Sequence, residues 1–353
     1  MTPRQRYQAI EDTRKALIAE CEANAGFRCQ VASFYGGASY KLIERLEIRD
    51  VRIVYAPGDS IGKYGGDIDN WMWPRHTGDF AFYRAYVGPD GMPADFAEDN
   101  VPFKPAHFLK VSRAGLSDGD FVMAAGYPGT TRRYARLSEV ENTFGWTYPT
   151  FKTLIADWIA TIEQAAPAGS DARIKYESLL AGLNNYMKNI GGQLEGAERV
   201  GLADRRAARE TALSDWVAAD ASRAEYAAAF DELDVLVEEM NADSRQDFWY
   251  DRVTRPALLG AAQQLYRLAN EKEKPDAERE PGYQERDMTF LTQRMQVIDR
   301  RFDPTVDKAE WLLFLDGYMA QPDEQRVAAF DEALGLDDID GQEALAARLD
   351  GFY

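Results

Sequence analysis

Sixteen consecutive residues, Gly65-Gly-Asp-Ile-Asp-Asn-Trp-Met-Trp-Pro-Arg-His-Thr-Gly-Asp-Phe80, hold two tryptophans, three aspartates, an asparagine, an arginine and a histidine. Loop residues of these types bind or catalyse disproportionately often, because a rigid frame can present them to a ligand. Composition alone also allows a second reading, a packed aromatic corner capped by acids. Asp79 stands at the mouth of the strand-like run Phe80-Ala-Phe-Tyr83 and is expected to be partly buried. A buried carboxylate is costly unless paired, and orienting a histidine ring is one use of such a pair. His76 lies too near Asp79 in the chain to be that partner and reads as a structural loop residue.

Other chemistry-bearing patterns are weaker. Gly58-Asp-Ser-Ile-Gly62 matches Gly-x-Ser-x-Gly, which works only where a strand turns sharply into a helix. Lys63-Tyr-Gly-Gly-Asp67 follows and starts a helix poorly, so Ser60 is not expected to be a nucleophile. The glycines of Gly62–Gly66 lack the Gly-Lys-Ser/Thr ending of a phosphate loop and read as a turn. With two cysteines, two histidines and no Cys-x-x-Cys, no metal site and no cofactor are expected. Cys21 and Cys29 leave two states open: a disulfide, which suits a compartment outside the cytosol, or two thiols.

The elements that position these residues follow from composition and periodicity. The 353 residues are enough for two domains, and 45% apolar with 28% charged residues is ordinary for a folded chain. Lys+Arg total 41 against 59 Asp+Glu, a formal charge of −18. Such a chain repels phosphate backbones, and its densest basic cluster, Arg132-Arg133 with Arg136, is short, so no nucleic-acid partner is expected. No window is apolar enough to span a membrane, and Met1–Glu20 lacks the apolar core of a secretory leader.

Near residue 150 the chain changes character. The first 150 residues carry 15 of the 27 glycines and read as β structure with loops. Strands are expected at Cys29–Tyr35, Val51–Tyr55, Asp79–Val87 and Asp120–Ala125. Without crossover helices between them, an antiparallel barrel or sandwich is expected. After Pro149 the period becomes helical: Phe151, Leu154, Ile155, Trp158, Ile159 and Ile162 form one stripe. Tyr226, Phe230, Leu233, Val237 and Met240 form a second, and Met288, Leu291, Met295, Ile298 and Phe302 a third. Further helices are expected over Val306–Met319, Glu324–Leu334 and Gln342–Leu349. The expected organisation is a β region over 1–149 and a helical region over 150–353.

The Gly65–Phe80 segment resembles the signature of the bacterial serine dipeptidyl-peptidases typified by dipeptidyl-peptidases 7 and 11. Its flanks agree: Asp50-Val-Arg-Ile-Val-Tyr-Ala-Pro57 before it, Gly126-Tyr-Pro-Gly-Thr-Thr-Arg-Arg-Tyr134 after it, and Asn184-Asn-Tyr-Met-Lys-Asn189 in the helical region. The resemblance implies a β + α fold, part of a chymotrypsin-like (trypsin-like) double β-barrel followed by an inserted helical domain that caps the active site. It implies removal of dipeptides from free peptide N-termini by a Ser-His-Asp triad in which Asp79 is the acid. It places Asn70, Trp71 and Asn185 around the substrate's α-amine. It also implies a periplasmic or secreted protein and a homodimer for full-length members.

Departures from that pattern matter. The family's triad histidine lies upstream of the signature and its serine beyond the helical domain, and neither is present here. A central fragment, inactive alone, is therefore expected. The alternative is a non-catalytic module that binds peptide N-termini. Acidic and hydrophobic side-chain preferences both remain open.

Overall fold

The structure, a computed structural model, describes residues 1–126 and 132–353. The chain divides into two units, Met1–Tyr127 and Pro128–Tyr353. Most of the Gly126–Tyr134 signature stretch, 127–131, lies outside the described residues.

The first unit opens with helix α1, Pro3–Glu22. Thr2 starts it: its hydroxyl accepts the Gln5 N–H, and Gln5 Oε1 accepts the Thr2 N–H in return. Strands β1 (Phe27–Phe34) and β2 (Ser39–Leu46) form an antiparallel hairpin, with Phe27 opposite Leu46. Cys29 and Val31 are buried on β1, and a disulfide ties Cys29 to Cys21 near the end of α1. Of the two states open to these cysteines, the structure has the bonded one.

Strand β3 (Asp50–Tyr55) precedes two single helical turns, α2 (Asp59–Gly62) and α3 (Gly66–Asp69). The chain then returns as β4 (Phe82–Val87), with β5 (Val101–Pro102) on its outer edge. A buried polar knot holds this sheet: Arg52 Nε and Nη2 donate to the two Asp50 oxygens at 3.0 and 2.7 Å. Asn100 Nδ2 donates to Asp50 at 2.8 Å, and the guanidinium lies 4.0 Å from the Tyr86 ring centre. Asp50 is 2% exposed, and this full set of donors is what makes a carboxylate tolerable there.

The described residues form a two-stranded and a three-stranded open sheet, and no barrel closes among them. Two expectations are corrected here. The strand expected over Asp120–Ala125 makes no ladder among the described residues, and Phe121, Val122 and Met123 are exposed. A short apolar run makes a strand only when another backbone takes its hydrogen bonds. Strand β2 was not expected at all, because the Tyr35-Gly-Gly37 turn that folds it onto β1 was not recognised.

The second unit is helical. Helices α4 (Leu137–Asn142), α5 (Tyr148–Ala165), α6 (Asp171–Val200), α7 (Leu202–Ala218) and α8 (Ala224–Val253) come first. They are followed by α9 (Ala257–Lys272), α10 (Met288–Arg301), α11 (Pro304–Met319), α12 (Ala328–Leu334) and α13 (Gln342–Leu349). The α5 stripe is the core seam: Leu154, Ile155, Trp158 and Ile162 are buried against α6 and α11. On α11, Trp311, Phe314, Leu315 and Tyr318 complete it. Gly317 of α11 leaves room for Trp249, whose ring would lie 2.3 Å from any added Cβ.

The other two stripes are not seams. On α8 only Val237 of the five is buried, and Tyr226, Leu233 and Met240 are exposed. That 30-residue helix reaches the core with its far end, through Phe248, Trp249 and Val253. On α10 only Leu291 is buried. The helix expected over Glu324–Leu334 starts late, because Val327 is extended with its N–H on the Tyr318 hydroxyl at 2.6 Å. Among the described residues, no helix is long and apolar enough to cross a membrane.

Candidate functional site

The signature segment is a loop between β3 and β4, built on two carbonyl-closed turns. Gly65 has φ +88°, and a Cβ there would lie 2.1 Å from Asp69 Oδ2, so only glycine fits. One helical turn later the Asp69 side chain folds back into the loop and is 7% exposed. Its Oδ2 accepts the backbone N–H of His76 at 2.7 Å and lies 3.3 Å from His76 Nδ1. The His76 amide, helped by the ring and by Arg75, holds the Asp69 carboxyl below the usual aspartate range, against burial, which acts the other way. The three acids of the segment therefore differ in role, and Asp69 is the one that shapes the loop.

This clamp brackets the residues expected to meet substrate. Asn70 ends α3 in an extended conformation and is half-buried. Trp71 follows at φ +58°, which an indole-bearing residue rarely adopts, and is exposed. Backbone strain of this kind clusters where a side chain must be aimed. Asn70 and Trp71 thus share one turn, closed from both ends by Asp69 and His76.

Asp79 is exposed rather than partly buried, correcting that expectation. The chain leaves the loop through Gly78, whose N–H donates to the Ile61 carbonyl at 2.9 Å, and the β4 ladder begins only at Phe82. Asp79 therefore stands ahead of the sheet, and its carboxylate takes no hydrogen bond among the described residues. Next to it in the chain, Phe80 packs between the Tyr55 ring, tilted, and the Phe82 ring, edge-on, with ring centres 5.9 and 5.8 Å away. Ser60 lies inside the single turn α2 and has no histidine partner among the described residues, and His76 is engaged with Asp69, consistent with a structural role.

Asn185 belongs to the second unit, midway along α6. The buried residues Leu180 and Leu183 face α5, and at 100° per residue Asn185 falls on the other side of the helix, half-buried. Among the described residues, Cys21, Cys29 and Glu44 are grouped closely enough to suggest metal ligands, but both sulfurs are consumed by the disulfide. Sequence reasoning missed Asp69. The available signal was its place one helical turn after a Gly-Gly pair and seven residues before a histidine.

Comparison with known proteins gives a consistent result. The family model described as Peptidase S46 matches residues 1–353. The Asp/Glu-specific dipeptidyl-peptidase of Shewanella putrefaciens is 44% identical over 351 residues, covering 99% of this chain and 47% of that protein. Dipeptidyl-peptidase 7 of Porphyromonas gingivalis is 36% identical over 239 residues, covering 67% of this chain and 33% of that protein. The crystal structure of Porphyromonas endodontalis DPP11 with the dipeptide Arg-Glu superposes with a TM-score of 0.71 at 25% identity, covering 96% of this chain and 48% of that one. The chain thus spans about half the length of these relatives, or less.

Proposed function

The chain belongs to the peptidase S46 family, and from that premise we propose that it is part of a serine dipeptidyl-peptidase acting on free peptide N-termini. The clamped loop carries the reading: Asp69 and His76 hold Asn70 and Trp71 in one strained turn. An amide oxygen accepts hydrogen bonds from an ammonium group, and an indole face attracts a cation. Gripping the α-amine two residues from the scissile bond makes an exopeptidase that releases dipeptides. Asn185, on α6, is proposed as an amine-binding residue on the family resemblance alone.

Asp79 is the triad acid in this reading, holding an imidazole in the correct tautomer and stabilising the imidazolium that forms as serine attacks. Its exposure, and the absence of a hydrogen-bond partner among the described residues, support a histidine supplied from outside the 353 residues. Only His76 and His107 exist in the chain, and His76 faces Asp69. The nucleophilic serine comes from outside as well, so this chain alone does not hydrolyse peptides. The two open sheets are then portions of a trypsin-like double barrel, which accounts for the exposed Phe121, Val122 and Met123.

Higher identity over more of the chain to the Asp/Glu-specific relative than to dipeptidyl-peptidase 7 favours acidic residues next to the scissile bond. The Cys21–Cys29 disulfide supports a periplasmic or secreted location. The test is dipeptide release from a peptide with an acidic second residue, by the intact protein and by this chain alone. The intact protein should cleave the free-amine peptide and spare its N-acetylated form. Cleavage of the acetylated peptide, or turnover by the 353-residue chain, would overturn the reading.

A further inference from the structure

The helical unit contains a cavity of about 370 Å³ between α5, α6, α10, α11 and the α8–α9 junction. That lies within the size range of small-molecule sites. Its walls are apolar, with Trp158, Tyr176, Phe302 and Phe314 among them. Glu310 lines it while only 5% exposed. Trp158 Nε1 donates to Glu310 Oε1, and the second oxygen has no hydrogen bond among the described residues. Asp307, also buried, is fully occupied: it accepts the Ala257 and Leu258 N–H groups at 2.6 and 3.2 Å and the Tyr353 hydroxyl at 2.6 Å.

Two arginines stand on the solvent side of this lining, Arg255 and Arg301, both exposed. Neither forms an ion pair among the described residues. Arg255 lies over the Trp158 ring, 5.6 Å from its centre, at the edge of the aromatic wall. Lys175, the remaining cation of the lining, is engaged with the Phe302 carbonyl at 2.8 Å.

We infer that this cavity binds a small organic carboxylate with an apolar body, its carboxylate held by Arg255 and Arg301 and its body against the aromatic wall. Planar guanidinium forks suit a carboxylate, and the aromatic faces suit an aryl or alkyl chain. The site is separate from the amine-binding loop and does not depend on the proposed peptidase activity.

Glu310 makes the site sensitive to pH. The groups around it are Trp158 on α5, Lys175 and Tyr176 on α6, Arg255, Arg301 and Asp303, Asp307 on its own helix, and Tyr353. Burial pushes its carboxyl up to about 7, Asp307 adds to the rise, and the Trp158 N–H and Arg255 oppose it. An entering anion favours the protonated form still further, so binding takes up a proton and weakens as pH rises.

The test is calorimetric titration of the 353-residue chain with 4-phenylbutyrate, and with 4-phenylbutan-1-ol as the uncharged match. Neither probe carries an amine, so the peptide site is not read. The acid should saturate one site and bind about tenfold tighter than the alcohol, and about tenfold tighter near pH 6 than near pH 8.5. Arg255→Gln with Arg301→Gln, both at exposed positions, should weaken it about tenfold with the helical fold retained. Glu310→Gln should remove the pH dependence. No saturation by about 10 mM, equal binding of acid and alcohol, or full affinity in the double arginine variant would overturn the site. Should Glu310→Gln fail to fold, proton uptake by the parent chain, measured in two buffers of different ionisation enthalpy, decides the role of Glu310.

Discussion

Asp69 and His76, seven residues apart, close the signature loop on itself: the His76 amide donates to Asp69 Oδ2 at 2.7 Å and the His76 ring lies 3.3 Å from the same oxygen. The segment between them carries Asn70 and Trp71. The aspartate does no chemistry in the proposed reaction; it holds the turn that carries the indole and the amide proposed to meet the substrate.

Asp69→Ala should therefore loosen the loop and raise KM for a free-amine peptide about tenfold in the intact protein, with a smaller effect on kcat. Asp69→Asn keeps an acceptor for the His76 amide and should fall between. A loss confined to kcat, measured under saturating substrate, would argue against a positioning role.

Acid should act through the same residue. The folded-state carboxyl lies below the ordinary value of 3.8, so the ionised form favours folding at every pH above that value. That contribution disappears as pH falls through the lowered folded value, so the first unit should lose stability below about pH 4. Thermal midpoints recorded across this range should show a shallower acid limb for Asp69→Asn.

Gly65→Ala tests the space beneath the clamp. A Cβ at φ +88° and 2.1 Å from Asp69 Oδ2 has to displace the carboxylate. The expected cost is about 2 kcal/mol or more, from the left-handed backbone and the clash together. A variant that melts with the parent would show that the loop repacks freely.

For the amine site, Asn70→Ala, Trp71→Ala and Asn185→Ala should each lower kcat/KM of the intact protein about 10- to 100-fold, the scale of a lost hydrogen bond to a charged group. Asp79→Asn should instead lower kcat by about 10³ to 10⁴ with KM little changed, as expected for a residue that orients a base. Steady-state kinetics separate the two patterns.

In the helical unit the pH dependence runs the other way. Glu310 has a folded value near 7 against an ordinary 4.5, so the folded state binds the extra proton. Stability is then highest at low pH within that window and falls as pH rises from 4.5 through 7. The full swing is on the order of 3 kcal/mol, an upper figure because relaxation screens a buried charge. Denaturant midpoints of Glu310→Gln should be flat across the same range.

The disulfide offers a last check. It closes a loop with a sequence separation of 8, and Cys21→Ser with Cys29→Ser should cost about 2 kcal/mol in the first unit. The helical unit, whose core contains neither cysteine, should melt unchanged.

Local order made much of this protein readable in advance. The α5 stripe and α13 lie where periodicity placed them, because a buried helix face imposes its spacing on the residues that fill it. Strand β3 and the chemistry-bearing loop were likewise legible as local patterns. Asn70 and Trp71 were legible only by resemblance; for Asp79 the residues suggested an acid that orients a histidine, on a burial the structure does not have, and the resemblance supplied the triad. Other properties depend on residues far apart in the chain. The Tyr226–Met240 stripe has an ordinary apolar period, yet it is exposed because α8 meets the core only at its far end. Asp120–Ala125 is an apolar run of strand length but finds no partner among the described residues. Glu310 looks like any glutamate in the sequence; its near-neutral carboxyl exists because Trp158, 152 residues away, and Asp307 enclose it. Spacing records which face of an element is apolar. Whether that face, or an acid beside it, is removed from water depends on what packs against it, and only the tertiary structure supplies that.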